Sequence, residues 1–397
     1  MTAAGGTTGD DPFGAFVSRL RDRARGIGPL AGLRLAVKDN IAVKGQPFTA
    51  GLPLYAERIA AETAPAVRRL TDAGASLVGM TRTDAGGFGV TTPQVTHPLL
   101  PGRSVGGSSG GNAAALAAGL ADIALGTDTG GSVRIPAACC GLFGFKPSLG
   151  AVPQQGLAPM SASFDTIGLM ARDMAPLARA AEVLLAAGIP ALPRPPTRLG
   201  IDPRRLAESE PAIREAVERT ISAWRQRGIE VQPIALPERE RCIAAHGTIV
   251  LSEARLLYET ALQRAPDSLP DTVRRALAAA RHVTPAAIAQ ARAEIAQIRD
   301  EFARACSGLD AIVTPTLPIL PPPREAHRVR LLGQDVSVIA ALIADTCLAN
   351  ITGGPALAMP CAGAVDDFVS LQLSAPHGRD LHLLAGAARL LADPVSA

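Results

Sequence analysis

Aromatic residues are scarce in this sequence, 3% of 397 residues, with one tryptophan and two tyrosines. Lysine is scarcer still, at three of the 39 basic side chains. Basic and acidic residues nearly balance, 39 against 36, for a net charge of +3. A nucleic-acid surface needs a basic excess and rings on which bases stack, so this composition predicts no nucleic-acid footprint. The bias of arginine over lysine follows GC-rich coding and carries no functional reading. No apolar run reaches the length of about 18 residues that a membrane-spanning helix needs, and the opening MTAAGGTTGDDPFGAF has no basic region followed by an apolar one, so neither a membrane span nor a signal peptide is expected. None of the six cysteines (Cys139, Cys140, Cys242, Cys306, Cys347, Cys361) forms a CxxC pair, and none of the six histidines stands at metal-ligand spacing from them. Scattered cysteines in a long chain read as reduced core residues. Together these absences predict a soluble cytoplasmic protein with no metal and no cofactor.

What is present is an apolar interior. Hydrophobic residues make up 47% of the chain and charged residues 19%, which excludes a disordered chain. Length alone allows two or three domains. LRLAVKDNIAV (33–43) alternates around β-branched residues and reads as a strand with Lys38 at its end. APAVRRLTDAGASLVGM reads as a helix, a glycine stop at Gly74 and a strand through Leu77 and Val78. Asn112 to Leu120 is a small-residue helix and Asp122 to Gly126 a short strand, and this alternation points to α/β. After the proline-rich connector PALPRPPTRLG, the chain from about Glu208 to Cys306 reads as mostly helical, with breaks near Pro270 and Pro285. Strand texture returns in DAIVTPTLPILPPP and FVSLQLSA, ahead of a terminal helix over LHLLAGAARLLA.

The densest stretch runs from Gly106 to Pro147. Ser108 and Ser132 lie 24 residues apart there, each beside paired glycines. Glycines permit sharp turns and bring backbone N–H groups close to a bound oxyanion. A serine is a weak nucleophile until a base takes its proton, and a buried lysine forced neutral by desolvation can be that base.

Five segments in one order resemble the amidase signature hydrolases: VKDNIAVKG, GGSSGGNAAALAAG with LGTDTGGSVRIPAACCGLFGFKPSLG, FDTIGLMARD, DAIVTPTLP and NITGGPALAMP. They cover roughly 1–190 and 308–395. The resemblance implies one α/β domain over 1–397, the amidase signature fold, with a large mixed β-sheet core covered by helices on both faces. The segment at about 205–306 would be a variable, mostly helical insertion. It also implies a Ser–Ser–Lys triad: Ser132 as nucleophile, Ser108 after a cis peptide bond as the middle member, and Lys38 as terminal base. Thr129, Gly130, Gly131 and Ser132 would form the oxyanion hole, with Asp128 and Arg134 bracing the loop. Ser109 reads two ways, as a donor to the relay or as a cap for the helix from Asn112.

TDAGGFG departs from the family pattern, with Gly87 before Phe88 where relatives often carry an acidic residue. Gly87, Phe88, Leu157, Met160 and Phe164 are the expected pocket wall, and His97 is a minor candidate at its mouth. The leading expectation is hydrolysis of a small, largely uncharged amide through an acyl-enzyme. The expected partners are that small molecule alone and, at most, a second copy in a homodimer, with no nucleic acid and no membrane. The alternatives are the glutaminase-type subunit of a tRNA-dependent amidotransferase, a catalytically inactive homologue and a phosphate-binding module. The last lacks GxxxxGK[ST].

Overall fold

The structure, a computed structural model, describes all residues except 1–10, 21–25, 187, 189–197, 265, 362–367 and 393–397. The amino-terminal ten residues and most of the proline-rich connector lie outside the described part. Thirteen strands occur among the described residues: β1 (Phe16–Arg19), β2 (Arg34–Lys38), β3 (Ser76–Thr81), β4 (Ile123–Asp128), β5 (Phe143–Lys146), β6 (Thr166–Ala171), β7 (Arg198–Ile201), β8 (Glu230–Pro233), β9 (Ala311–Pro315), β10 (Arg328–Leu331), β11 (Gln334–Ser337), β12 (Ala356–Pro360) and β13 (Ser370–Ser374). Eleven form one sheet in the order β1-β3-β2-β4-β6-β5-β12-β13-β9-β7-β8, and β10 and β11 make a separate hairpin. The sheet is mixed: β3, β2 and β4 run parallel, as do β9, β7 and β8, while the strands between them pair antiparallel. The α/β reading with a large mixed sheet holds.

Both faces of this sheet are covered, and the strand period shows how. Leu35, Val37, Ile123, Leu125, Ile167 and Leu169 point into one cluster. Helices Pro65–Asp72, Met174–Leu185, Pro211–Gln226 and Asp380–Leu391 pack there. Ala36, Ala124 and Met170 alternate with them and face a second cluster built from Ala113, Ala114, Ala115 and Leu116. Small residues on both partners let helix Gly110–Ala117 sit close over β2 and β4. A Cβ on Gly126 would stand 2.9 Å from Asn112 Nδ2 and 3.0 Å from Ser109 Oγ, so only glycine fits that contact.

The segment 205–306 is helical over Pro211–Gln226, Arg239–Arg264, Asp271–Ala280 and Pro285–Ala305, with Pro285 at the first turn of the last helix. It also supplies β8, which the helical reading of this region misses. EVQP is four residues long, too short for periodicity to reveal, and it adds to the sheet edge by parallel pairing with β7. Among the described residues no helix is long and apolar enough to cross a membrane.

Candidate active site

Parallel pairing of β2 with β4, which sets Val37 opposite Leu125, brings Lys38 beside LGTD toward the carboxyl ends of both strands, where open α/β sheets place their ligands. Lys38 is fully buried. Its Nζ lies 2.8 Å from Ser108 Oγ and 2.8 Å from Thr127 Oγ1. Burial lowers the amine's pKa from 10.5 to about 7, against the opposing pull of Asp84, Asp128 and Asp165. Near neutral pH a large share of Lys38 is therefore free amine, able to accept a proton. Asn40 Nδ2 donates to Thr127 Oγ1 at 3.0 Å and fixes the third member of this group.

Ser108 follows the cis peptide bond Gly107–Ser108. The N–H of Asp84 donates to the Ser108 carbonyl at 3.1 Å, and the N–H of Ser109 donates to the Ser132 carbonyl at 3.2 Å, so the two serine loops are tied together. Ser132 keeps 7% of its surface exposed, enough to be met from outside. Ser109 does not follow its reading as a helix cap. Its Oγ donates to the Thr127 carbonyl at 3.3 Å, and it makes no side-chain cap to helix Gly110–Ala117.

The turn Thr129–Ser132 is held from below. Asp128 accepts from the N–H groups of Gly131 (2.9 Å) and Val133 (3.2 Å) and from both ends of the Arg134 fork (3.0 and 2.8 Å). Arg134, fully buried, also donates to the Thr346 carbonyl, Gln372 Oε1 and Asn350 Oδ1 at 2.6–2.7 Å. Burial alone would raise the Asp128 carboxyl, but Arg134 overcomes it and holds the pKa at about 2. The oxyanion expectation narrows here. The Gly131 N–H is committed to Asp128, whereas those of Gly130 and Ser132 have no partner among the described residues. The Thr129 N–H, the group the expectation names, likewise has no partner among the described residues, while its hydroxyl donates to Asp165 Oδ1 at 2.6 Å.

The expected pocket wall divides. A Cβ on Gly87 would stand 3.3 Å from Met160 Sδ and 3.8 Å from Ser108 Oγ, so Gly87 borders both Met160 and Ser108. Phe88 packs against Tyr258, ring centroids 5.8 Å apart, and lines a cavity of about 1080 Å³. Ser132, Ser108 and Lys38 do not line that cavity; the loop carrying Asp84, Ala85 and Phe88 stands between. Leu157 and Phe164 correct the expectation. Leu157 bridges to Ile41 and packs on the main core, and Phe164 is 1% exposed beneath His246. Phe164 spends its apolar surface in the interior, and Leu157 spends part of it there. His97 is likewise no mouth residue: its Nε2 pairs with the Cys139 carbonyl at 3.0 Å and its Nδ1 accepts from the N–H groups of Leu99 and Leu100. All six cysteines are buried, and burial pushes Cys139 up to about 12. No cluster of three or more His, Cys, Asp or Glu suited to a metal occurs among the described residues.

Thr127, Asp165, His246, Thr346 and Asn350 also belong to this site and escape the sequence reading. Thr127 adjoins Asp128 in the motif itself. Asp165 and Asn350 stand in FDTIGLMARD and NITGGPALAMP without being read there as site residues, whereas His246 and Thr346, 117 and 216 residues from the groups they hold, stand in none of the quoted motifs.

A family model described as Amidase matches residues 18–384. The chain belongs to the Amidase family. It is 34% identical to a subunit of glutamyl-tRNA(Gln) amidotransferase from Thermus thermophilus, over 95% of this chain and 89% of that one. A solved amidase superposes with a TM-score of 0.86 at 33% identity, covering 95% of this chain and 92% of its own. The corresponding glutamyl-tRNA(Gln) amidotransferase subunit from Thermotoga maritima superposes with a TM-score of 0.78 at 25% identity, covering 94% and 86%. This amidase is thus an enzyme acting on amides, with the amidase signature fold. The expectation of a small molecule as sole partner, without nucleic acid, is overturned. The relatives matched along nearly the whole chain are, by name, subunits of an amidotransferase of glutamyl-tRNA(Gln). Charge balance reads one chain's surface alone and is blind to contacts that a partner chain would supply.

Proposed function

We propose that this amidase hydrolyses a carboxylic amide through an acyl-enzyme on Ser132, and that it does so as the glutaminase-type subunit of a tRNA-dependent amidotransferase. The observation that carries the chemistry is the buried Lys38 amine 2.8 Å from Ser108 Oγ, on a loop bonded to the Ser132 backbone. Ser132 gives its proton to Ser108 as its Oγ bonds to the amide carbon, and Ser108 passes its own proton to Lys38. A hydroxyl can stand between the two because it both donates and accepts. The N–H groups of Gly130 and Ser132 receive the oxygen's developing charge. When the C–N bond breaks, the relay runs backward and the nitrogen leaves as ammonia or amine. Water then attacks the acyl-enzyme, losing a proton to the same relay, and the carboxylic acid departs as Ser132 recovers its hydrogen.

The subunit role is supported by similarity to the two amidotransferase subunits named above along 94–95% of this chain. In this reading residues 1–397 act as one domain, in the cytoplasm. The test is ammonia release from L-glutamine by the chain alone and with partner subunits and charged tRNA. Release that rises with the partners and vanishes in Ser132→Ala is the expected result. Turnover of simple amides that ignores the partners would overturn the subunit role and leave the acyl-enzyme standing.

A further inference from the structure

The helix Arg239–Arg264 belongs to the segment read as a variable insertion, yet two of its side chains reach the catalytic loops. Glu253 accepts from Ser161 Oγ and Ser163 Oγ at 2.5 Å and from the Ser163 N–H at 3.1 Å. His246 Nε2 lies 2.9 Å from the Thr129 carbonyl oxygen. A carbonyl only accepts, so Nε2 carries the hydrogen. The imidazole is buried, and burial keeps its pKa below the ordinary histidine value. One face rests on Phe164, with ring centroids 4.8 Å apart. Against it lies Gly130, where a Cβ would stand 2.8 Å from His246 Cε1.

The consequence follows from the peptide unit. Thr129 C=O and Gly130 N–H share one plane and, in a trans unit, point in opposite directions. The unit after it is secured twice, by Thr346 Oγ1 on the Gly130 carbonyl (2.6 Å) and by Asp128 on the Gly131 N–H (2.9 Å). The Thr129–Gly130 unit has its carbonyl secured by His246 and its N–H without a partner among the described residues. We propose that His246 is a positioning residue for the oxyanion hole: by donating to Thr129 C=O it aims the Gly130 N–H at the substrate oxygen. The proposal rests on the acyl-enzyme reading.

The test compares His246→Phe, which keeps the ring against Phe164 and loses the donor, with His246→Gln, which keeps an N–H donor. The probe is a fluorophosphonate, whose phosphoryl oxygen occupies an oxyanion hole whatever the natural substrate is. Removing an oxyanion donor outright costs roughly 10²–10³-fold in rate. Misaiming one should therefore slow labelling by about 10- to 100-fold in His246→Phe. His246→Gln should recover most of the rate. The rise of labelling with pH, set by Lys38, should keep its midpoint in both variants, since neither changes the charge near the amine. Equal losses in the two variants, or wild-type labelling in His246→Phe, would overturn the proposal. If His246→Phe fails to fold, His246→Gln decides alone: a loss beyond about tenfold in a folded protein counts against a hydrogen-bonding role. Absence of labelling in the unmodified enzyme would instead sink the acyl-enzyme reading.

Discussion

Replacing Lys38 by Met should abolish turnover and stabilise the protein. The amine is fully buried, and its pKa falls from 10.5 to about 7. At 1.36 kcal/mol per pKa unit, holding this lysine costs the fold about 5 kcal/mol relative to an exposed one. Methionine has a similar shape and no charge to desolvate. It loses the hydrogen bonds to Ser108 and Thr127, worth about 1 kcal/mol each. The net gain is about 3 kcal/mol at neutral pH. Its pH dependence has a definite sign. Below pH 7 both folded and unfolded chains hold the proton and the cost of Lys38 is complete. Between pH 7 and 10.5 only the unfolded chain holds it, so the native enzyme gains on the variant as pH rises. Above 10.5 neither does, and the variant's advantage is gone. Urea denaturation of both proteins at intervals from pH 6 to 10 measures this. A Lys38→Met variant less stable than the native enzyme at pH 7, or a stability difference independent of pH, would refute the reasoning.

Ser132→Ala should lose turnover almost completely, and Ser108→Ala should fall by roughly 10²–10⁴-fold, the range of general acid–base catalysis; steady-state ammonia release compares them. The rate at saturating amide should rise through about pH 7 as Lys38 gives up its proton. A rate flat from pH 5 to 9, with chemistry limiting, contradicts the relay. Arg134→Met strands Asp128 as a buried anion and should cost about 3–5 kcal/mol in a urea melt. A loss under about 1 kcal/mol would mean the loop does not depend on that pair.

The residues proposed as the reaction centre are marked locally in the sequence. Lys38, Ser108 and Ser132 each stand in a short glycine- or strand-marked motif, and the parallel β2–β4 pairing that joins them follows from the α/β alternation. Two kinds of residue are hidden. Phe164 and Leu157 follow the signature as pocket residues would, yet burial of apolar surface in the nearest core decides their place. His246 and Thr346 act through single long-range bonds to backbone carbonyls, and a sequence shows neither partner. β8 escapes for another reason. A four-residue edge strand inside helical surroundings has too little pattern to stand out.

The bonds that steady the nucleophile turn have a bearing on the order in which the protein is made. Arg134 reaches Gln372, 238 residues on, and Asp128 and Gly130 reach Asn350 and Thr346. These partners are therefore translated more than 200 residues after the turn they hold. Until then Lys38, Ser108 and Ser132 are present, but the turn lacks the side chains that fix Arg134 and the Gly130 carbonyl. The turn therefore takes its braced form only once the segment from Thr346 to Gln372 has joined the fold.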